Sequence, residues 1–285
     1  MKTRIISAMV GTVLLFAVLL CPHLLVFDLV AAGLSMLAVW ELLHNTGLMK
    51  HTFVSVVSML FSALLVGACV LAQSVALNAR EWNPMPADAL LPLIGILVAV
   101  YAAFMLVAWL CCRKDMSFSK FGNAFILTLY ATAGFASLAV LRLLSVDYFY
   151  FLLVLVIPWM SDIGAYFTGM LFGKHKMAPI ISPKKTWEGF FGGWAISIGS
   201  AALFAVIGNA CGVAQGEPFD PLAYAIIAAI LAPISVLGDL LASRIKRHFG
   251  IKDYGKLMPG HGGVMDRFDS VVMIAPLLYL ANIFI

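Results

Sequence analysis

Charged residues are scarce in this sequence. Asp, Glu, Lys and Arg make up 11% of its 285 residues, whereas about a quarter of a typical soluble globular chain is charged. Hydrophobic residues account for 63%, and the mean hydropathy is +1.02. This composition leaves no stretch that could form a separate soluble domain, and it predicts a protein whose main solvent is lipid.

Signatures of several enzyme and metal-site classes are also missing. The five cysteines show no CxxC or other metal-ligand spacing, so we interpret them as small packing residues and not as a disulfide framework. The sequence contains no HExxH pair, no GxxxxGK[ST] loop and no Ser/His/Asp signature. Its chemistry must therefore come from other residues.

Apolar runs follow one another along the whole chain. A helix of about 20 apolar residues crosses a bilayer core, and continuous runs favour helices over the alternating pattern of barrel strands. We predict an all-α, polytopic transmembrane helical bundle with N-terminal helices in 1–145 and a catalytic region in 146–285. The bundle has about nine spans: Ile5–Leu20, Leu29–Leu43, Phe53–Leu77, Leu90–Leu110, Phe121–Leu144, Tyr148–Phe172, Phe190–Ile207, Leu222–Leu241 and Val271–Phe284.

The basic residues predict the orientation, because Lys and Arg near span ends are retained in the cytoplasm. Of the 18 Lys and Arg residues, all but Arg80 and Arg142 fall on one side of the nine-span arrangement. We therefore expect a cytoplasmic N-terminus and an outside C-terminus. The start Met1–Arg4 resembles a secretory signal, but further spans follow and no small-residue cleavage site does, so we interpret it as the beginning of an uncleaved first helix.

The first two-thirds of the chain suggests little about function. Glu41, beside Trp40 near the end of the second span, is interpreted as an interfacial carboxylate. Small residues such as Gly192 and Gly193 favour close helix packing, which leaves a homodimer open. No nucleic-acid partner is expected.

Asp162 lies inside an apolar run, where an ion costs several kcal/mol unless it is paired or hydrated. It is therefore a functional candidate, and the alternatives are a polar contact between helices or a snorkelling side chain. The segment that follows, from Gly173 to Gly189, is too long for a minimal helical turn. Pro183 predicts extended backbone before it, and Thr186 can cap a helix that begins near Trp187.

That helix start, flanked by Lys184 and Lys185, is suited to binding phosphate through exposed amides. The alternative is a topology signal that binds anionic lipid head groups.

The densest polar stretch runs from Ser235 to Asp269. Asp266 and Asp269 are three residues apart and share one helix face, and Asp239 lies close to the end of its span. Such carboxylates suit hard cations, of which Mg²⁺ is the natural choice, and they leave a second metal ion open. Gly262 and Gly263 let backbone approach an oxyanion. His261 is interpreted as a structural or phosphate-contact residue in preference to a proton-transfer group.

Together these residues resemble a known family. The motifs Ser243-x-Ile-Lys-Arg, Lys252-Asp-x-Gly and Pro259-x-His-Gly-Gly-Val-x-Asp-Arg-Phe-Asp closely resemble the signature of phosphatidate cytidylyltransferases, also called CDP-diacylglycerol synthases. Ser161-Asp-x-Gly-Ala-Tyr and Ser182-Pro-Lys-Lys-Thr-Trp-Glu-Gly are similar to that family as well. The resemblance covers Trp159 to Asp269, and it implies a bacterial inner-membrane enzyme that uses CTP and phosphatidic acid.

On this basis we expect an active site that faces the cytoplasm. Asp239, Asp266 and Asp269 are the expected metal ligands and catalytic residues, with Lys185 and Arg267. The expected substrate-binding residues are Asp162, Ser182, Lys184, Thr186, Glu188, Arg244, Lys246, Arg247, Lys252, Lys256, His261, Gly262 and Gly263.

Three other classes compete with this expectation. One is a lipid-binding scaffold, in which paired metal carboxylates would have no obvious use. A CDP-alcohol phosphotransferase would carry a longer aspartate motif, DGxxARx(8–9)GxxxDxxxD, that this chain lacks. A transporter could use Asp162 and Asp239 as midplane ion sites, but it would not require so dense a phosphate-binding loop.

Overall fold

The chain folds into long helices joined by short segments. The computed structural model describes residues 2–19, 24–48, 52–79, 90–111, 117–144, 148–214, 218–255, 257 and 262–284. Its α-helices are α1 (Lys2–Leu19), α2 (Leu24–Trp40), α3 (Thr52–Ala79), α4 (Leu90–Cys111), α5 (Phe118–Leu144), α6 (Tyr148–Phe172), α7 (Trp187–Ala210), α8 (Pro221–His248) and α9 (Met265–Phe284). The predicted helical membrane bundle is confirmed.

Seven of the helices in the described part of the chain, α2 to α8, are long and apolar enough to cross a membrane. The helix ends differ from the predicted span ends. Helix α2 begins at Leu24 and not at Leu29, and α8 continues past Leu241 to His248. Hydropathy marks only the apolar part of a helix, whereas Arg and Lys propagate a helix well and stabilise its C-terminus.

A two-stranded antiparallel hairpin interrupts the helices between α6 and α7. Strand β1 (Lys176–Ala178) pairs with β2 (Ser182–Thr186), with Lys176 opposite Thr186 and Ala178 opposite Ser182. The extended backbone around Pro183 and the helix start at Trp187 agree with the sequence prediction. The pairing of the two strands was not predicted.

The chain divides into two compact units, of which the first comprises Met1–Leu144 and Phe249–Phe268. Helix α2 packs against α3 and α5 there. Hydroxyl groups link these helices: Ser35 Oγ bonds Ser62 Oγ, and Thr132 Oγ1 donates to Ser62 Oγ at 3.0 Å. All three side chains are fully buried, so the bonds satisfy polar groups that find no water in an apolar interior.

The second unit comprises Ser145–His248 and Asp269–Ile285. Helices α6 and α7 pack closely along small residues, and a Cβ added to Gly193 would overlap the carbonyl oxygen of Ser161. Trp194 Nε1 on α7 donates to the Ala229 carbonyl of α8 at 2.9 Å. The predicted functional division at residue 145 remains a prediction, because packing does not reveal which part is catalytic.

Candidate active site

A lysine and an aspartate form an ion pair in the second unit. Lys185 Nζ on β2 lies 2.5 Å from Asp239 Oδ2 on α8, and the two side chains are 23% and 28% exposed. Side chains alternate along a strand, so Lys185 points away from Lys184, which is exposed. Local strand geometry thus selects one lysine of the pair for Asp239.

Two further carboxylates act on this pair. Asp162 on α6 interacts electrostatically with Lys185 and Asp239. Asp269 on α9 interacts with Asp239, Lys246 and Asp162. We call these five residues the charged cluster: Asp162, Lys185, Asp239, Lys246 and Asp269.

The close approach of α8 to α9 depends on a glycine. A Cβ added to Gly238 would lie 2.9 Å from the Asp269 carbonyl oxygen and 2.8 Å from Met273 Cβ. Because Gly238 precedes Asp239 directly, close packing at the glycine brings the neighbouring carboxylate towards α9.

Asp269 shows the electrostatic character of the charged cluster. Its side chain is buried and Oδ1 accepts the Ser270 N–H at 2.7 Å. Burial, and next the negative charge of Asp239, raise the pKa of Asp269 to about 7. Carboxylates that repel one another in this way would be stabilised by an added cation.

The first unit holds a second group, around the start of α9. Asp266 Oδ2 accepts the N–H of Tyr254 at 2.7 Å and the N–H of Gly263 at 2.9 Å. Gly262 has a φ of 86°, a left-handed conformation that favours glycine. Asp266 therefore links the backbone of Tyr254 to that of Gly263.

Glu41 also belongs to this second group, although its position in the sequence suggested an interfacial carboxylate. It begins the π-helical turn Glu41–Asn45 after α2 and is 2% exposed. Its carboxylate accepts the N–H groups of Val264 and Met265 at 3.0 Å each. An interfacial role does not fit a buried carboxylate with two backbone donors. The only available sequence signal was a carboxylate in an apolar segment.

Hydrogen bonds stabilise the region around the hairpin and the start of α7. Thr186 is the N-cap of α7, and its Oγ1 accepts the Gly189 N–H at 3.2 Å. Glu188 pairs with His175, whose Nδ1 lies 2.6 Å from Glu188 Oε1. Ser182 is half-buried on β2.

The remaining predicted site residues are mostly at the surface. Arg244 and Arg247 are exposed on the last turns of α8, Lys252 is exposed after it, and Arg267 is exposed on the first turn of α9. Lys256 and His261 lie outside the described residues. The structure therefore brings Asp162, Lys185, Asp239, Lys246 and Asp269 together in one unit, and Asp266 with Gly262 and Gly263 in the other.

The carboxylates of the charged cluster could hold a magnesium ion if water and substrate phosphates completed its coordination shell. Among the residues that the structure describes, no three His, Cys, Asp or Glu side chains are placed to hold a metal ion by themselves. Mg²⁺ commonly takes only one or two protein carboxylates and completes its shell with water and substrate phosphates. Asp239 and Asp269, which interact electrostatically in the charged cluster, could supply two carboxylate ligands of that kind.

The sequence is similar to those of known proteins. A sequence model of the cytidylyltransferase family matches residues 2–284. Proteins named phosphatidate cytidylyltransferase from Staphylococcus epidermidis, Staphylococcus saprophyticus and Staphylococcus aureus are each 34% identical to the chain. Each similarity covers 98% of this chain and 97% of the relative.

Proposed function

The chain belongs to the cytidylyltransferase family, and on that premise we propose how its charged cluster serves the transfer of CMP from CTP to phosphatidic acid. The products are CDP-diacylglycerol and pyrophosphate, as needed for phospholipid biosynthesis. One observation carries the proposal. The Lys185–Asp239 pair, with Asp162 and Asp269 acting on it, lies in a unit built of apolar helices, where charges are costly and mark functional sites.

The reaction needs positioning more than proton transfer. An ionised phosphate oxygen of phosphatidic acid attacks the α-phosphorus of CTP, and a new phosphorus–oxygen bond forms there. The bond from that phosphorus to the β-phosphate oxygen breaks, and its electron pair leaves with pyrophosphate. Because the nucleophile is already an anion, the main barrier is the repulsion between two phosphates held in line.

Cationic side chains would reduce that repulsion. We assign Lys185 to the transferring phosphate, because its ammonium group is held within the charged cluster by Asp239. Lys246 reaches the same cluster through Asp269. The other proposed phosphate contacts are exposed and can meet CTP from the aqueous side: Lys184, Arg244, Arg247, Lys252 and Arg267.

Magnesium is the proposed cofactor. Its candidate ligands are Asp239 and Asp269 in the second unit and Asp266 in the first. When bound, it would supply positive charge that neutralises the charge developing on pyrophosphate.

The protein is an integral membrane protein, and we propose that it lies in the inner membrane with this site towards the cytoplasm. The excess of Lys and Arg on one side of the spans supports that orientation.

In a cysteine-free background, Lys176→Cys and Asp220→Cys would lie on opposite sides, because α7 separates them. A membrane-impermeant maleimide added to intact cells should label only Asp220→Cys. The reverse pattern would invert the topology.

The function is tested with purified protein, labelled CTP, phosphatidic acid and Mg²⁺. We expect a lipid-soluble cytidine product and an equal amount of pyrophosphate, both lost when the divalent ion is chelated and regained when it is restored. Folded protein that forms no product with any of several divalent ions would overturn the proposal.

A further inference from the structure

Glu41 occupies a position that in many proteins receives a ligand. The first N–H groups of a helix have no partner within that helix, and the helix dipole makes the same end attractive to anions. At the start of α9 the N–H groups of Val264 and Met265 donate to Glu41 Oε1 and Oε2. A carboxylate of the chain itself therefore fills the anion site.

The turn before α9 is shaped around this carboxylate. A Cβ added to Gly263 would overlap both carboxylate oxygens of Glu41, and a Cβ added to Gly255 would overlap Oε1. These two glycines let the backbone close on the carboxylate. The close approach predicted for Gly263 thus exists, and the group that approaches is Glu41.

Two further side chains, those of Asn45 and Asp266, bond to the backbone near Glu41. Asn45, four residues after Glu41, donates from Nδ2 to the Tyr254 carbonyl at 2.5 Å. The Tyr254 N–H donates in turn to Asp266, which also accepts the Gly263 N–H. The π-helical turn after α2 thus bonds to Tyr254 and also to the backbone that immediately precedes Asp266.

We infer that Glu41 is a positioning residue for the reaction, which acts by fixing the start of α9 and with it Asp266. A corollary concerns the substrate. The N–H groups of Gly263, Val264 and Met265 already donate to carboxylates, so the phosphate groups are bound by side chains and not by these amides. The inference rests on the proposed role of Asp266, whose failure the experiment must recognise separately.

The experiment compares Glu41→Gln and Glu41→Ala with Ser35→Ala in purified full-length protein. Glutamine keeps one carbonyl acceptor for the two N–H groups, whereas alanine keeps none. We expect kcat to fall about tenfold in Glu41→Gln, as for loss of one strong hydrogen bond, and on the order of 100-fold in Glu41→Ala, as for a displaced catalytic group. Ser35 lies on α2 and loses a buried hydrogen bond to Ser62, so its variant is a matched control.

Hydrogen–deuterium exchange provides a readout that does not depend on turnover. Exchange of the peptide that contains Val264 and Met265 should rise in both Glu41 variants and stay unchanged in Ser35→Ala. Ser35→Ala should keep kcat within about twofold of wild type, because only contacts between helices are lost. A kcat that is higher in Glu41→Gln than in Glu41→Ala supports positioning, because glutamine keeps one acceptor for the two N–H groups. If Glu41→Ala does not fold, Glu41→Gln alone still tests the inference.

Asp266→Asn separates the two hypotheses. If it abolishes turnover while both Glu41 variants keep normal kcat, the positioning role is wrong and the role of Asp266 stands. If Asp266→Asn keeps normal turnover, the proposed role of Asp266 is wrong, and the positioning inference falls with it. Unchanged exchange at Val264 and Met265 in folded Glu41→Gln also overturns the inference.

Discussion

The Lys185–Asp239 pair allows a test that separates structural from catalytic roles. We consider Asp239→Asn, Lys185→Met and the double variant. Each single change removes the ion-pair partner of a residue that stays charged, and the double change removes both charges. If the pair only stabilises the fold, the double variant should recover what each single variant loses.

The expected cost in stability follows from the burial of the pair. Breaking a fully buried ion pair costs about 3–5 kcal/mol, whereas exposed pairs contribute about 0–1 kcal/mol. Lys185 and Asp239 keep about a quarter of their side-chain exposure, so each single variant should lose about 1–3 kcal/mol. The double variant should return close to the thermal midpoint of the wild type.

Turnover should behave differently. A charged group that stabilises a transferring phosphate contributes roughly 10²–10³-fold to kcat. Each single variant should therefore lose that much, and the double variant should stay as low as the worse of the two, because neutralising both groups does not restore either function.

The assay combines lipid-soluble CMP incorporation with thermal unfolding in lipid nanodiscs. Lys176→Met, an exposed lysine on β1, and Asp220→Asn, whose Oδ1 acceptor for the Leu222 N–H is kept, are the matched controls, and both should resemble wild type. A double variant with near-normal turnover would refute the catalytic role of the pair.

Two further predictions concern the stability of the second unit. Thr186→Ala removes the α7 cap and should lower the free energy of unfolding by about 0.5–2 kcal/mol, whereas Thr186→Ser should keep it; equal stability of the two variants would contradict the capping role. Gly193→Ala should cost about 1–3 kcal/mol by forcing α7 away from Ser161. Gly199→Ala, where an added Cβ meets nothing within 4 Å, is the control, and equal thermal midpoints for both glycine variants would contradict the close packing of α6 and α7.

The helices could be predicted from the sequence because each membrane helix satisfies its own backbone hydrogen bonds and needs only a long apolar run. Their ends could not be predicted equally well. The last turns of α8 carry Arg244, Lys246 and Arg247, which hydropathy counts as loop although they form helix readily. Only part of the hairpin could be predicted. Pro183 and Thr186 determine the local backbone conformation, but they do not determine which strands pair.

Some residues of the candidate site could be predicted from their neighbours in the sequence, whereas others depend on contacts with distant parts of the chain. Asp162 and Asp239 could be predicted because a charge inside an apolar segment is costly. Lys185 could be predicted from its place beside a helix start, and Asp269 from its three-residue spacing to Asp266. The role of Glu41 was not recognised, because its donors lie 223 and 224 residues further along the chain. Gly263 signalled that something approaches the backbone, but a glycine does not reveal whether that is a ligand or a side chain.

The internal use of the α9 amides has a consequence for how the enzyme handles charge. CTP and phosphatidic acid both carry several negative charges, and a helix start with free amides could have bound one of them. Glu41 and Asp266 take the amides of Gly263, Val264 and Met265 instead. Phosphate binding then depends on Lys and Arg side chains, whose interactions with phosphate weaken with ionic strength when they are exposed. KM for CTP should therefore rise with added salt, measured at constant divalent ion. A salt-independent KM would indicate that backbone amides or buried groups bind the triphosphate.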